Sequence, residues 1–422
     1  MNIEKFIADR ISGEGLHKSN ISKPIVKIGI IGIATGMAVM LLTVSIVLGF
    51  KKEISSKITG LSAEVVVKSA GTSSGNEPNP LLIEDSVLTA IKNLPYVKRV
   101  QKVGFKNGII KTKTENEGIV LKGVDGDFDF SFLEKNLQTG VIPDYGGQEV
   151  SNAVFISRSL ADKLALDTGA KLLVYFIVQK TTYDSLLDQE YTAFEKRART
   201  FKICGIFKTD FSDFDESLAI IDLRQIQKLN YWSRGEGSAY EIKTTGLENA
   251  EQQVETIQEI CGYSCSVEGI RDIYYTIFIW LDKLDINGVI IVILMILVAT
   301  VNMVTALLIL ILERSNMVGL LKTLGMPNLR VRNLFLWISL RLTGKGLFYG
   351  NLAGIGLCLI QYYFKWVKLN PETYYVEHVA IELNWLYFLY LNLGTLVVCL
   401  LVLLLPTLVL SRLTPLKTLR LD

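Results

Sequence analysis

Residues able to do covalent chemistry are sparse in this chain, and their spacing excludes most enzymology. It has five cysteines (Cys204, Cys261, Cys265, Cys358 and Cys399) and two histidines, His17 and His378. Cys261 and Cys265 stand four apart in "EICGYSCSVE". In an oxidising compartment they could close a small disulfide; otherwise they are two thiols. A zinc site needs more ligands than this neighbourhood supplies, so no metal is expected. No GxxxxGK[ST] phosphate loop or HExxH helix occurs, and the GxSxG string "GTSSG" at 71–75 falls in the loop-like stretch "AGTSSGNEPNP" and not between a strand and a helix, as a nucleophile elbow requires. The stretch that stands out is "ERSNMVGLLKTLGMP", residues 313–327, where a long apolar run stops at two charges and a short helix-forming segment follows. Its chemistry is that of a docking peg. Met317, Leu320, Leu321 and Leu324 recur at helical spacing, Gly325 can end the helix and Pro327 forbids its continuation. Such a helix suits a groove on another protein, the alternative being a surface connector.

The elements that position this segment are membrane helices. The chain has 422 residues, 50% of them hydrophobic and 20% charged. Residues 28–50, 286–312, 346–364 and 383–411 contain no Asp, Glu, Lys or Arg. About 20 apolar residues at 1.5 Å each cross a hydrocarbon core of roughly 30 Å, so all four windows read as spans. The first is too long and begins too late for a cleavable signal peptide and is expected to stay as an anchor. Cys358 and Cys399 fall within spans and read as packing residues. The four charge-free windows hold no buried acid or base, and Arg341 and Lys345 stand at the cytoplasmic end of the third span where they can snorkel to the headgroups, which argues against a proton- or ion-coupled pathway. Gly29, Gly32 and Gly36 in the first span, and Gly346, Gly350 and Gly354 in the third, would let helix backbones approach closely, within one chain or between two.

Lys and Arg concentrate in 1–27, in 313–345 and in the tail at Arg412, Lys417 and Arg420, whereas the loop 365–382 sets Lys365 and Lys368 against Glu372, Glu377 and Glu382. The positive-inside rule places both termini and the 313–345 loop in the cytoplasm, and the segments 51–275 and 365–382 outside. A net charge of +2 gives no support to nucleic-acid binding. The outer segment is large enough for its own core. "AEVVVK" (63–68), "NGIIKTK" (107–113), "EGIVLKGV" (117–124), "AKLLVYFIV" (170–178), "TFKICGIF" (200–207) and "SLAIID" (217–222) read as strands. "ISRSLADKLAL" (156–166) and "NAEQQVETIQEIC" (249–261) read as one-faced helices. The expected fold is an α+β membrane protein: four transmembrane helices with an α+β periplasmic domain, of two lobes or one, between helices one and two. The expected division is an amphipathic helix over 1–20, with Ile3, Phe6, Ile7 and Ile11 on its apolar face, span one over 24–50, and the outer domain over 51–275. A stalk and span two follow over 276–312, the coupling-helix loop over 313–332, span three over 333–364, the outer loop over 365–382, span four over 383–411 and a cytoplasmic tail over 412–422.

These features together resemble the FtsX-like (MacB-type) ABC transporter permeases, whose coupling helix follows an "ER..EIG.LKA.G" pattern. Glu313, Arg314, Gly319, Leu321, Lys322 and Gly325 match it, while Met317 stands where the family has an acid. "FIADRI", the first span, "VFISRSLADKLALDTGAKL", "FKICGIFKTDFSDFDESLAIIDLRQIQKL", "PETYYVEHVAIELNW" and "TPLKTLRLD" resemble the lipoprotein-releasing (Lol) permeases of the LolC/LolE branch. The resemblance covers almost the whole chain. It implies a bacterial inner-membrane, non-catalytic subunit that binds no cofactor itself. Two copies of a separate ABC ATPase would carry the ATP and Mg, and a second permease, the same chain or a paralogue, would complete the complex. A lipoprotein would be drawn from the surrounding membrane lipids and passed to a periplasmic carrier. It also implies a cavity for acyl chains along spans one and two, at Val44, Leu48, Ile293 and Leu297, where affinity grows by about 0.8 kcal/mol per buried CH₂. The family's carrier-binding hook corresponds to 178–199, with Tyr183, Leu186, Leu187 and Tyr191 as candidate contacts. This stretch lacks the proline of that hook, so an ordinary solvated hairpin is the other reading. Two further functions stay open: a MacB-like exporter of periplasmic peptides or drugs, and an FtsX-like regulator of a cell-wall hydrolase.

Overall fold

The first charge-free window lies inside a 40-residue helix, α1 (Ser22–Leu61), of a computed structural model that describes residues 22–71, 78–111, 116–184, 189–247 and 249–409. The amphipathic reading of 1–20 falls outside the described residues. By contact the chain separates into two units. One is the outer domain, Glu53–Ile279 together with Leu369–Glu377; the other holds the chain up to Lys52, Trp280–Lys368 and the chain from His378 on.

In the domain, β1 (Val65–Ser69) is followed by α2 (Asp85–Lys92), β2 (Val97–Lys111), β3 (Asn116–Val124), β4 (Leu137–Gly140) and β5 (Ala153–Ser157). Then come α3 (Arg158–Leu164), β6 (Lys171–Asp184), β7 (Gln189–Phe207), β8 (Leu218–Asp222), α4 (Leu223–Asn230), β9 (Ala239–Thr244), α5 (Ala250–Cys261) and β10 (Cys265–Gly269). Six strands close on themselves. β2 pairs β3, β3 pairs β8, β8 pairs β5, β5 pairs β7, β7 pairs β6, and β6 returns to β2 through Ile109 opposite Tyr175 and Ile110 opposite Val174. The inward positions of this ring obey the two-residue period of a strand. Val174, Phe176 and Val178 are buried with Ile119, Leu121, Ile156, Ile203 and Ile221, and Leu160 of α3 and Ile226 of α4 complete the core.

Both helices begin at a side-chain cap. The Ser157 hydroxyl accepts the Leu160 N–H, and Asp222 accepts the Arg224 N–H, each satisfying a donor that a helix start leaves orphaned. From β2 the same ten-stranded sheet continues through β9 and β1 to β10, where α2 and α5 cover Val65, Val67, Ile91, Ile242 and Ile257. Two hydrophobic cores, those of a first and a second lobe, thus lie along one continuous sheet and share β2.

A buried charge sits within the domain. Lys122 on β3 is almost fully enclosed; its ammonium donates to Glu241 Oε1 at 2.6 Å and Oε2 at 2.8 Å, and to the carbonyl of Leu61, the last residue of α1, at 2.6 Å. A cation at a helix C-terminus is favoured by the peptide dipoles as well as by its carboxylate.

The membrane unit is built from α1 with α6 (Tyr275–Glu313), α7 (Ser315–Thr323), α8 (Asn328–Phe364) and α10 (Trp385–Val409); the short α9 (Pro371–Tyr374) belongs to the domain. Among the described residues, four helices are long and apolar enough to cross a membrane. Their glycine rows pack inside one chain. A methyl group on Gly350 would lie 2.7 Å from the Ala34 carbonyl oxygen, and one on Gly346 2.7 Å from Ile33, so this face of α8 lies against the backbone of α1. On another side of α1, Gly32 faces Asn302 and Gly36 faces Ala299 of α6. Without a hydrophobic drive between helices in lipid, such close approach supplies the van der Waals contact that holds them. Exposed Tyr362, Tyr363, Phe364, Trp366 and Trp385 cluster at the ends of α8 and α10, as interfacial aromatic residues do.

Candidate functional site

The 313–327 segment forms a capped helix with two distinct sides. α6 ends at Glu313, and Arg314 passes its carbonyl to the Val318 N–H at 3.0 Å to start α7. At the other end Gly325 adopts φ +89°, the left-handed conformation that glycine takes without penalty. The Gly325 N–H donates to Lys322 O at 3.0 Å, and the Met326 N–H to Leu321 O at 3.0 Å. These two bonds are the Schellman pattern and satisfy the last carbonyls of the helix. Pro327 caps the start of α8.

The apolar face divides differently from the reading by spacing. Val318 is fully buried and is the centre of contact, with Met317 and Leu321 packed beside it on the core made by Leu307, Leu310, Leu334 and Phe335. Leu320 and Leu324 point away and are 57% and 76% exposed. At 100° per residue, a helix seated on position 318 carries 317 and 321 inward and turns 320 and 324 outward. Gly319 is buried, Glu313 is exposed, and Arg314 and Lys322 are half-buried. Burial lowers the Lys322 ammonium below the ordinary lysine value. The site thus offers an exposed leucine pair on a stub fixed to the membrane unit's core.

The other anticipated residues are placed as follows. Val44 and Leu48 are half-buried on α1, while Ile293 and Leu297 are 58% and 57% exposed on α6. In the hairpin, Tyr183 pairs with Glu190 and Tyr191 with Thr182 near the end of β6 and β7; Leu186 and Leu187 lie outside the described residues. Cys261 and Cys265 stand as free cysteines in this structure. Each is buried among the apolar residues of the second lobe, at the end of α5 and the start of β10.

Two features were missed by sequence reasoning. Asn351 on α8 and Asn392 on α10 exchange side-chain hydrogen bonds at 2.6 and 2.9 Å, a polar tie between two spans. Lone asparagines inside charge-free windows were the available signal. The second is a charge cluster around Lys57, Lys208, Asp210 and Glu377, described below.

Residues 28–260 match the model of the MacB-like periplasmic core domain, and residues 289–415 that of the FtsX-like permease C-terminal region. The chain belongs to the MacB-like periplasmic core domain family. Within it, the chain is 21% identical to the lipoprotein-releasing system transmembrane protein LolE of Haemophilus influenzae, over 92% of this chain and 91% of the relative. It is 21% identical to LolC of Xylella fastidiosa, over 93% and 92%, and 22% identical to LolC of Neisseria meningitidis, over 78% and 75%. Solved structures similar to it include the periplasmic region of MacB from Actinobacillus actinomycetemcomitans, at 14% identity, 52% of this chain, 95% of that one and a TM-score of 0.33. The extracellular domain of the Gram-positive transporter YknZ matches at 14% identity, 49% and 99% coverage and a TM-score of 0.30. This member of the MacB-like family is an ABC-transporter permease of the Lol and MacB type, a membrane protein with a periplasmic domain.

Proposed function

We propose that this chain is the permease subunit of an ATP-driven complex that draws lipoproteins from the outer leaflet of the inner membrane and passes them to a periplasmic carrier. Two copies of a separate ATPase would hold the ATP and Mg, and a second permease, a copy or a paralogue, would complete the membrane part. Both termini and α7 would face the cytoplasm. The observation that supports this reading best is the seating of α7. Val318 fixes the helix to the core of the membrane unit while Leu320 and Leu324 remain outward. A motor that grips those leucines pushes on a stub that cannot swivel freely, so its stroke enters the helix bundle. The naming of the LolE and LolC relatives supports lipoprotein as the cargo class.

Leu320→Asp is the test of the motor contact, because Leu320 touches water and its replacement leaves the core intact. We expect loss of ATPase co-purification with normal membrane insertion; unchanged co-purification and turnover would refute the assignment. Leu321→Asp, by contrast, places a charge in the core and tests stability as well. For the cargo, photocrosslinkers at Val44 and Ile293 are expected to label an acylated lipoprotein and not its non-acylated form. Equal labelling would move the cargo to peptides or drugs. Retrieval of a cell-wall hydrolase in place of any cargo would favour a regulatory role.

A further inference from the structure

The segment that joins α8 to α10 does not hang free beside the domain. Its central part, Leu369–Glu377, is a component of the domain itself. It folds as a compact hairpin: the Leu369 N–H bonds Glu377 O at 2.8 Å, the Asn370 side chain caps α9 by accepting the Glu372 N–H at 3.0 Å, and the Tyr375 N–H bonds Pro371 O at 2.9 Å. Three kinds of contact hold it to the 208–215 turn. The Phe211 and Tyr375 rings stack with centroids 4.9 Å apart and an interplanar angle of 25°. The Ser212 hydroxyl donates to Pro371 O at 3.3 Å. Lys208 pairs with Glu377 and, at 2.8 Å, with Asp210; this bond holds the Glu377 carboxyl below its usual range.

The turn is itself rigid. Asp210 stands at φ +57°, and the buried Asp215 carboxylate accepts the Thr209 N–H and hydroxyl and the Asp210 N–H at 2.7–3.1 Å. The last member is Lys57, on the distal turns of α1 and only 8% exposed. Its ammonium donates to Tyr375 O at 3.3 Å and lies 4.0 Å from Asp210. An isolated exposed ion pair contributes little. Here, however, withdrawal of the segment would strip the mostly buried Lys57 ammonium of the Tyr375 carbonyl and leave it only the Asp210 carboxylate at 4.0 Å, and a buried charge that loses a partner is costly.

We infer that Lys57, Lys208, Asp210 and Glu377 form an ionic latch that makes the α8–α10 connection move as part of the domain, so that the third and fourth spans are tied to the domain's motion along with the first and second. Lys57 and Lys208 are positioning residues that act by holding the segment. The inference rests on the reading that the chain transmits force from an ATPase. Its physical half can be tested without any ATPase.

The measurement is amide hydrogen exchange of the full chain in lipid nanodiscs. In Lys208→Ala/Glu377→Ala, peptides covering 369–377 are expected to exchange about tenfold faster, through easier local opening, while peptides covering β1 stay unchanged. The charge swap Lys208→Glu/Glu377→Lys is expected to restore protection in part, because it re-forms the pair across the two segments while setting a carboxylate beside Asp210. Unchanged exchange in the alanine pair overturns the latch. The second readout uses the chain reconstituted with its ATPase and compares ATP turnover with cargo released. The alanine pair is expected to keep its hydrolysis rate and lose severalfold in cargo per ATP, with partial recovery in the swap; full coupling in a loosened variant overturns the mechanical role. If instead the unaltered chain shows no ATP-dependent release, it is the force-transmission reading that fails, while the exchange result still stands.

Discussion

The two units of this protein hold their polar groups by opposite rules. In the outer domain a lysine and a glutamate are buried together: Lys122 and Glu241 are 2% and 1% exposed, and both are fully bonded. In the membrane unit the helices meet at glycine rows, and one neutral amide pair, Asn351 with Asn392, supplies the described side-chain bonding between α8 and α10. A water-soluble domain has enough apolar burial to carry an ion pair, provided each lone pair and proton is met. In lipid the hydrophobic drive between helices is absent, so close backbone approach and neutral hydrogen bonds must serve.

The largest effect is expected from breaking the buried ion pair on one side. Glu241→Gln leaves the Lys122 ammonium without its carboxylate and should destabilise the domain by about 3–5 kcal/mol. Lys122→Met with Glu241→Leu removes both charges and should come close to the parent. Denaturant unfolding followed by tryptophan fluorescence would show the contrast; equal losses in both variants would mean that the pair is not the source of the cost.

Next comes the glycine row. Gly350→Leu forces a side chain against the Ala34 carbonyl and should cost roughly 1–3 kcal/mol or more in the membrane unit, whereas Gly344, which faces open space, should accept leucine without loss. Thermal unfolding in detergent would separate the two. A smaller effect is expected of the amide pair. Asn351→Leu should cost about 0.6–1.7 kcal/mol, in the range of other membrane hydrogen bonds, and the double replacement with Asn392→Leu should cost little more than the single one. An additive double variant would show that the two amides do not interact.

The smallest effect concerns Cys261. Burial, and then the neighbouring Cys265, pushes its thiol up to about 12. At pH 8 the thiolate is then about one part in ten thousand, and maleimide should react slowly until the domain unfolds. Rapid labelling of the native chain would show that the second lobe opens readily.

The sequence by itself determined the membrane helices, because the absence of charge over about twenty residues is a local property that no neighbour can supply. It also determined the position and the end of α7, since Gly325 and Pro327 act on the backbone within a single turn. It marked the strands around Val174–Val178 and Leu218–Asp222 by their apolar runs, and α3 and α5 by their one-faced periodicity. Only the tertiary structure decided which leucines of α7 face outward, because that depends on which of them meets Phe335 and Leu334, residues of another helix. It decided that the glycine rows serve contacts within one chain, and that the strands close into a ring. It also decided that the 369–377 segment joins the domain: Lys57, Lys208 and Glu377 are far apart in the chain, and nothing in their local sequence encodes the pairing of charges that long-range folding brings together.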